Sequence, residues 1–328
     1  MPAASPHAAP TIGFDIGGTN LRGAVVAPGG RILRTAKRRT PTTEEGMESG
    51  IADIVEELRG HYPEAASVGL AVAGFLDPGC RIVRFAPHLP WRDADVATRL
   101  EGRLELPVVL EHDANSAAWG EYRHGAARDA GTWVLFAIGT GIGGAMMHGG
   151  RLFRGAHGTA PEFGHLTVVP GGRPCPCGKR GCLERYCSGT ALVTTASELA
   201  PDYVAASPLA RRLVRAGVSG PTVTGSDVME AASAGDPLGL AAVDDFAAWL
   251  GRGLALVADV FDPELIVIGG GVAGASAQYL DRAKAFFAES ITGTGHRPLA
   301  RIAPAQLGAD AGVIGAADLA AQGPALVR

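Results

Sequence analysis

TIGFDIGGTNLRGAVV (Thr11–Val26) reads as a strand that ends in an aspartate and paired glycines and then returns as a second strand. The pattern restarts after Gly131, where TWVLFAIGTGIGGAMMHGG (Thr132–Gly150) is again strand, glycine turn and strand. Short apolar runs broken by such turns are the signature of buried strands. The repetition points to an internal duplication: two α/β lobes, each with a glycine turn after its first strand.

Working outward, RILRTAKRR (Arg31–Arg39) is a third strand, joined to the second by the hairpin signal Pro28-Gly29-Gly30. Thr42, with Glu45 three residues on, predicts a capped helix running to about Arg59. Buried strands follow at Ser67–Gly74 and Pro107–Asn115, the latter leading into a helix over SAAWGEYRHG. Leu192–Phe261 is helical by composition, with Ser226 as an N-cap and a long segment from about Pro237. Glu264–Gly274 is a further strand and glycine turn, and LGADAGVIGAADLAA predicts a closing helix. No low-complexity linker separates the lobes, so a hinged cleft is expected. The expected division is a disordered leader over 1–10, a small α/β lobe over 11–116 plus about 303–322, and a large lobe over 117–302 carrying the cysteines.

Composition narrows the function. The 328 residues are 47% hydrophobic and 19% charged, as in ordinary soluble globular proteins. A formal net charge of −4 gives no electrostatic reason to expect nucleic acid as a partner. No apolar run reaches the roughly 18–20 residues needed to span a membrane. MPAASPHAAP lacks the basic start and apolar core of a signal peptide, and five cysteines are few; both favour the cytoplasm. The 47 glycines are the unusual feature: they are loop filler or turns where backbone must approach a ligand.

Three glycine turns stand at strand ends: Asp15-Ile-Gly-Gly-Thr-Asn20, Gly139-Thr-Gly-Ile-Gly-Gly144 and Gly269-Gly-Gly271. A strand ending in Asp-x-Gly-Gly-Thr can aim backbone N–H groups and a hydroxyl at phosphate, with the carboxylate facing a hydrated Mg²⁺. A hairpin turn with a capping aspartate is the plainer reading of the first. Three such turns at carboxyl ends of strands suit a nucleotide. Asp113, in LEHDANSAAWGE, stands where a strand meets a helix. It is either an N-cap or a base that takes the proton of a substrate hydroxyl, with Glu111 and Asn115 able to fix its geometry.

CPCGKRGC packs Cys175, Cys177 and Cys182 into eight residues, and His165 stands ten residues earlier. A Cys₃His set suits tetrahedral Zn²⁺; reduced or oxidised thiols are the alternative. Glu162 and Glu184 bracket the set, so a closed zinc site would aim two carboxylates at a polyol. Cys80 and Cys187 stand alone and read as buried small hydrophobes.

Together, D-I-G-G-T-N, E-x-D-A-N-x-A-A, G-T-G-I-G-G, E-F-G-H, C-x-C-G-x-x-G-C-x-E and the closing LGADAGVIGAADLA resemble the ROK family of sugar kinases from about Thr11 to Ala321. AAWGEYRHGA is similar to its actinobacterial glucokinases. The resemblance implies a two-lobed actin/hexokinase-like fold (ribonuclease H-like, duplicated) with a cleft between the lobes and a structural zinc site. It implies an ATP-dependent hexose 6-kinase with Asp113 as the general base. Asp15, Gly17, Gly18, Thr19, Asn20, Thr140 and Gly141 would contact ATP phosphates or Mg²⁺, and Gly270 and Gly271 the adenosine. Gly74, His88, His112, Asp113, Glu162, His165 and Glu184 would bind the sugar, and His165, Cys175, Cys177 and Cys182 the zinc. A homodimer or homotetramer is also implied.

The family's repressors carry a helix-turn-helix before the kinase-like part. Here the first phosphate loop already begins at Asp15, so a kinase is expected, with a non-catalytic sugar sensor or regulator as the alternative. Two residues depart from the family pattern: His88 and His112 stand where asparagines are usual. A neutral imidazole presents its donor and acceptor further out and in fixed directions. The departures imply a sugar that differs from glucose around C3 or C4, such as the amino sugar kanosamine, or else a glucokinase with a repacked pocket edge.

Overall fold

The computed structural model describes residues 9–216 and 223–323. Residues 1–8 of the expected leader and 217–222 of the expected helical stretch lie outside the described residues. Pro10, placed in that leader from the sequence, is buried, and its carbonyl accepts a hydrogen bond from the Ala66 amide.

The first sheet is built from β1 (Thr11–Ile16), β2 (Asn20–Val26), β3 (Ile32–Arg39), β4 (Val68–Val72) and β8 (Val108–His112), in the order β3-β2-β1-β4-β8. β1–β2 and β2–β3 are antiparallel hairpins; β1–β4 and β4–β8 are parallel. Between β4 and β8 the chain forms a three-stranded sheet of β5 (Phe75–Leu76), β6 (Val83–Phe85) and β7 (Arg92–Ala94). Helices α1 (Glu44–Arg59), α2 (Val96–Leu104) and α3 (Asp113–His124) complete this part.

The second sheet repeats the plan. It contains β9 (Thr132–Ile138), β10 (Ile142–His148), β11 (Arg151–Leu152), β12 (Leu265–Gly269) and β13 (Arg301–Pro304), in the order β11-β10-β9-β12-β13. The helices here are α4 (Gly189–Tyr203), α5 (Pro208–Ala216), α6 (Gly225–Ser233), α7 (Pro237–Phe261) and α8 (Leu280–Ser290), and α9 (Ala311–Gln322) closes the chain. In each sheet a hairpin at one edge feeds a strand whose other neighbour comes from later in the sequence. That shared order is the duplication read from the two glycine-turn repeats.

Among the described residues two compact units result: those within 9–135, 145–161 and 305–323 form one, and those within 136–144 and 162–304 the other. Residues 117–135 and 145–161, expected in the second lobe, therefore fall in the first unit. For α3 the reason is α9, which packs against both α3 and strands β1 and β4 of the first sheet. A Cβ on Gly69 of β4 would stand 1.9 Å from the Ala316 carbonyl oxygen, and one on Gly120 of α3 would stand 2.5 Å from that of Ala311. Only glycine lets backbones approach so closely.

Local chemistry moves two caps. Thr43, not Thr42, caps α1, its hydroxyl accepting from the Gly46 amide at 3.1 Å. Thr224, not Ser226, caps α6, and Asp227 completes a reciprocal capping box with it. Trp91, Trp133 and Cys187 are fully buried, and Cys80 is buried. Among the described residues no helix is long and apolar enough to cross a membrane.

Candidate active site

The parallel register decides what meets in the first unit. Ile16 of β1 pairs with Val72 of β4, and Val72 with His112 of β8. Three strands therefore end level, and the residues just beyond them, Gly17, Gly74 and Asp113, emerge at the same edge of the sheet. Ligands of α/β sheets bind outside this edge.

Asp113 is the first residue of α3, and the N-cap position belongs to His112. Its Oδ1 accepts from the Ala114 amide at 2.7 Å, and the His112 Nε2 lies 3.2 Å from the same oxygen. The side chain is 43% exposed, so the carboxylate remains open to a ligand. Asp15 is deeper. Burial, and secondly the Asp113 charge, hold its carboxyl above the ordinary aspartate value of 3.8, against the opposing pull of Arg22. Two mutually repelling carboxylates at one sheet edge form a site whose charge a divalent cation or a proton would relieve.

The turn after β1 is braced. The Gly17 amide donates to the Asn20 carbonyl at 3.1 Å, which removes it from the N–H groups available to a phosphate. The Thr40 hydroxyl donates to the Gly17 carbonyl at 2.6 Å, and the Thr40 amide to the Thr19 carbonyl at 3.1 Å. Gly18, Thr19 and Asn20 remain exposed at the tip. His88 packs on this turn: a Cβ on Gly18 would stand 2.8 Å from the His88 Cβ. Gly74 has no room for a side chain either, since its Cβ would meet the Phe85 carbonyl oxygen at 2.7 Å.

In the second unit the turn between β9 and β10 is tied to the start of α4. The Gly189 amide donates to the Gly139 carbonyl at 2.8 Å, and the Thr190 hydroxyl to the Thr140 carbonyl at 2.8 Å. Gly139, Thr140 and the first residues of α4 line a cavity of about 1190 Å³, together with Gly271 and Val272 beyond β12. Leu192, Val193, Met229 and Ala275 make much of its wall apolar, as a flat heterocycle requires. Gly270 has a φ of +77°, and a Cβ there would stand 2.4 Å from the Ile138 carbonyl oxygen, so glycine is required twice over.

The cysteine segment folds back on itself. The Cys175 amide donates to the Lys179 carbonyl and the Gly181 amide to that of Arg173, which brings Cys182 beside Cys175 and Cys177. One ligand atom from each of His165, Cys175, Cys177 and Cys182 lies within 4.8 Å of the others. The Cys177 and Cys182 Sγ atoms are 3.6 Å apart, and the Cys175 Sγ lies 3.7 Å from the His165 Nδ1. A zinc–sulfur bond of about 2.3 Å gives tetrahedral edges of about 3.8 Å, so these two pairs stand at ligand spacing, and the Cys₃His donor set fits Zn²⁺. The other ring nitrogen of His165, Nε2, lies 3.9 Å from the Glu162 Oε2. The Glu184 Oε1 lies 3.7 Å from the His165 Nδ1, and its Oε2 accepts from the Ile142 amide at 3.4 Å.

Beneath Asp113 the structure places a group that the sequence did not suggest. The Arg154 Nε donates to the Glu111 Oε2 at 2.9 Å, and a second guanidinium nitrogen reaches the same oxygen. A lone arginine after a two-residue strand carries no motif; the one local signal is the apolar run before Glu111, which makes it a buried carboxylate that needs a cation. The site residues expected from sequence thus form two groups. Asp15, Gly17, Gly18, Thr19, Asn20, Gly74, His88, His112 and Asp113 belong to the first unit. Thr140, Gly141, Glu162, His165, Glu184, Gly270, Gly271 and the three cysteines belong to the second.

Comparison with known proteins gives a consistent result. The model of the ROK family matches residues 11–323. A glucokinase of Streptomyces coelicolor is 41% identical over 312 residues, covering 94% of this chain and 97% of its own. The crystal structure of a ROK family glucokinase from Streptomyces griseus in complex with glucose and AMPPNP superposes with a TM-score of 0.84 at 42% identity. That match covers 96% of this chain and all of the other, 100%. A ROK hexokinase from Thermus thermophilus superposes with a TM-score of 0.75 at 31% identity, over 94% of this chain and 96% of that one.

Proposed function

This chain belongs to the ROK family, and we propose that it is an ATP-dependent hexose 6-kinase acting on glucose or an amino-modified glucose. The observation that carries the reading is the pair Asp15 and Asp113 at the carboxyl ends of two strands of one sheet, the second on an exposed helix start. Its relatives include glucokinases, one of them solved with glucose and AMPPNP.

In this reading Asp113 takes the proton of the sugar 6-hydroxyl as that oxygen attacks the γ-phosphate. The Ala114 amide on Oδ1 leaves Oδ2 as the oxygen that receives it. Asp15, Gly17, Gly18, Thr19, Asn20, Thr140 and Gly141 serve the phosphates and Mg²⁺, with Asp15 the residue that would hold the hydrated cation. Bound Mg²⁺ would supply neutralisation of phosphate charge. Gly17 contributes by the shape of the turn, because its amide is already engaged. The apolar cavity of the second unit takes the adenosine, with Gly270 and Gly271 admitting it closely.

Gly74, His88, His112, Glu162, His165 and Glu184 bind the sugar. His165, Cys175, Cys177 and Cys182 hold a structural Zn²⁺ that has no part in the chemistry and keeps Glu162 and Glu184 in place. His88 and His112 are the residues that would select the sugar, and a 3-amino sugar such as kanosamine suits an imidazole acceptor. The enzyme works in the cytoplasm as a homodimer or homotetramer.

Steady-state phosphorylation of glucose and kanosamine, measured side by side, tests this. A kcat/KM for kanosamine about a hundredfold higher would make His88 and His112 specificity residues, a ratio one polar contact can supply. A preference for glucose would make them neutral packing. No ATP consumption with any hexose would leave the sensor reading in its place.

A further inference from the structure

Glu111 lies one position inside the end of β8, with 2% of its side chain exposed. Every acceptor it offers is in use. Its Oε1 accepts from the His112 amide at 3.0 Å and from the Asn115 Nδ2 at 2.9 Å, and its Oε2 from both Arg154 nitrogens. His112 precedes Asp113 and Asn115 follows it by two, so one buried carboxylate holds the strand-to-helix junction from both sides. Arg154 supplies the opposing charge, with only 13% of its side chain exposed.

Arg154 is itself anchored. The Ala160 amide donates to the Arg154 carbonyl at 3.2 Å, closing a loop over residues 154–160. Within that loop Gly158 has a φ of +77° and sits where a Cβ would stand 2.8 Å from the Leu76 carbonyl oxygen. The guanidinium is thus delivered from a fixed loop, and it interacts with the Cys80 thiol as well as with Glu111. A buried carboxylate that loses its cation must take up a proton or draw in water. Either change falls on the Oε2 that the guanidinium fork had pinned, lets the carboxyl group turn, and so loosens the Oε1 contacts to His112 and Asn115 that hold the junction carrying Asp113. Reacting groups tolerate little displacement: a shift of about 1 Å can lower a rate about a hundredfold.

We propose that Arg154 is a positioning residue for phosphoryl transfer, acting through buried Glu111 to hold Asp113 at its reacting angle. The inference rests on the reading of Asp113 as the base. Arg154 touches neither the sugar nor a reacting atom in this scheme, and His112 is one of six residues assigned to the sugar, so loss of Arg154 lowers turnover far more than it weakens sugar binding.

The test compares Arg154→Met, Arg154→Lys and the double variant Glu111→Gln/Arg154→Met in the full chain. kcat is read at saturating substrates well below each variant's Tm, and the Kd for glucose by calorimetry. Arg154→Met is expected to lower kcat about tenfold or more and to change the glucose Kd less than about threefold. The double variant, which removes both buried charges and keeps an acceptor at position 111, is expected to recover at least about threefold of that loss. Should Arg154→Met fail to fold, Arg154→Lys carries the test: it keeps the charge without the planar fork, and a kcat lowered about threefold or more is expected. Full kcat in the soluble arginine variant, parallel loss of kcat and glucose affinity, or a double variant worse than Arg154→Met would each overturn the proposal. Normal turnover in Asp113→Asn would sink the base assignment instead; an inactive Asp113→Asn beside a fully active Arg154→Met sinks only this inference.

Discussion

The Cys175 Sγ lies 3.0 Å from the Glu184 Oε1, while the other oxygen of that carboxylate accepts from Ile142 at the β9–β10 turn. One side chain therefore links the cysteine cluster to the glycine turn. A Cβ added to Gly141 would stand 2.6 Å from the same Oε2, so the absence of a side chain there is what admits the carboxylate. Any force that orders the cysteines is transmitted to Glu184, and through it to the turn.

Loss of a ligand should therefore be felt beyond the metal. Cys177→Ser is expected to lose bound zinc, read as metal per chain by atomic emission, and to weaken the Kd for glucose about tenfold or more, since a structural site supplies folding energy locally. Cys177 is exposed, so the substitution perturbs little packing. A zinc-free wild-type protein with full activity and affinity would rule out the platform.

Asp113→Asn keeps the shape of the side chain and removes its basicity. Its kcat is expected to fall by about 10²–10⁴-fold, the usual contribution of a general base, with glucose binding by calorimetry largely kept. Wild-type turnover in this variant would refute the role.

Asp15 offers a pH signature. Its carboxyl is held above 3.8, first by burial and then by Asp113, so the folded state binds that proton more tightly than the unfolded chain. The associated stability is fully present below the unfolded value and is lost as pH rises through the raised folded one. Asp15→Asn is expected to raise the Tm of the ligand-free protein at pH 7, to give no gain near pH 3, and to abolish turnover. A Tm gain that is the same at both pH values would show that the charge is not its source.

Gly69→Ala tests the packing that keeps α9 on the first sheet. The added Cβ would meet both the carbonyl oxygen and the carbonyl carbon of Ala316, at 1.9 and 2.5 Å, and backbone yields less than a side-chain tip. A loss of about 1–3 kcal/mol or more is expected in denaturant unfolding. A loss under about 0.5 kcal/mol, the range of an ordinary surface change, would mean that the helix shifts freely.

Much of the fold was legible because strand and turn signals are local. Thr11–Ile16, Ile32–Arg39 and Pro237–Phe261 stand within two residues of where apolar runs and glycine punctuation put them. The caps at Thr43 and Thr224 were misplaced by one or two residues because several hydroxyls were available, and only the helix register chooses among them. The Cys₃His set was legible because ligand spacing within one segment is itself local. The motif marks Asp113, yet only the structure makes it the first helical residue rather than the cap.

The sequence by itself determined the kinds of chemistry present: glycine turns at strand ends, an aspartate at a strand–helix junction, and four zinc-type donors within one stretch. Those signals depend on residue type and short spacing, which the chain carries wherever it goes. Only the tertiary structure decided that Ile16, Val72 and His112 end level, that α9 carries α3 into the first unit, and that Arg154 reaches Glu111. Each of those depends on parallel strand register or on contacts across long loops. These are set by how buried surfaces pack, and no local pattern records them.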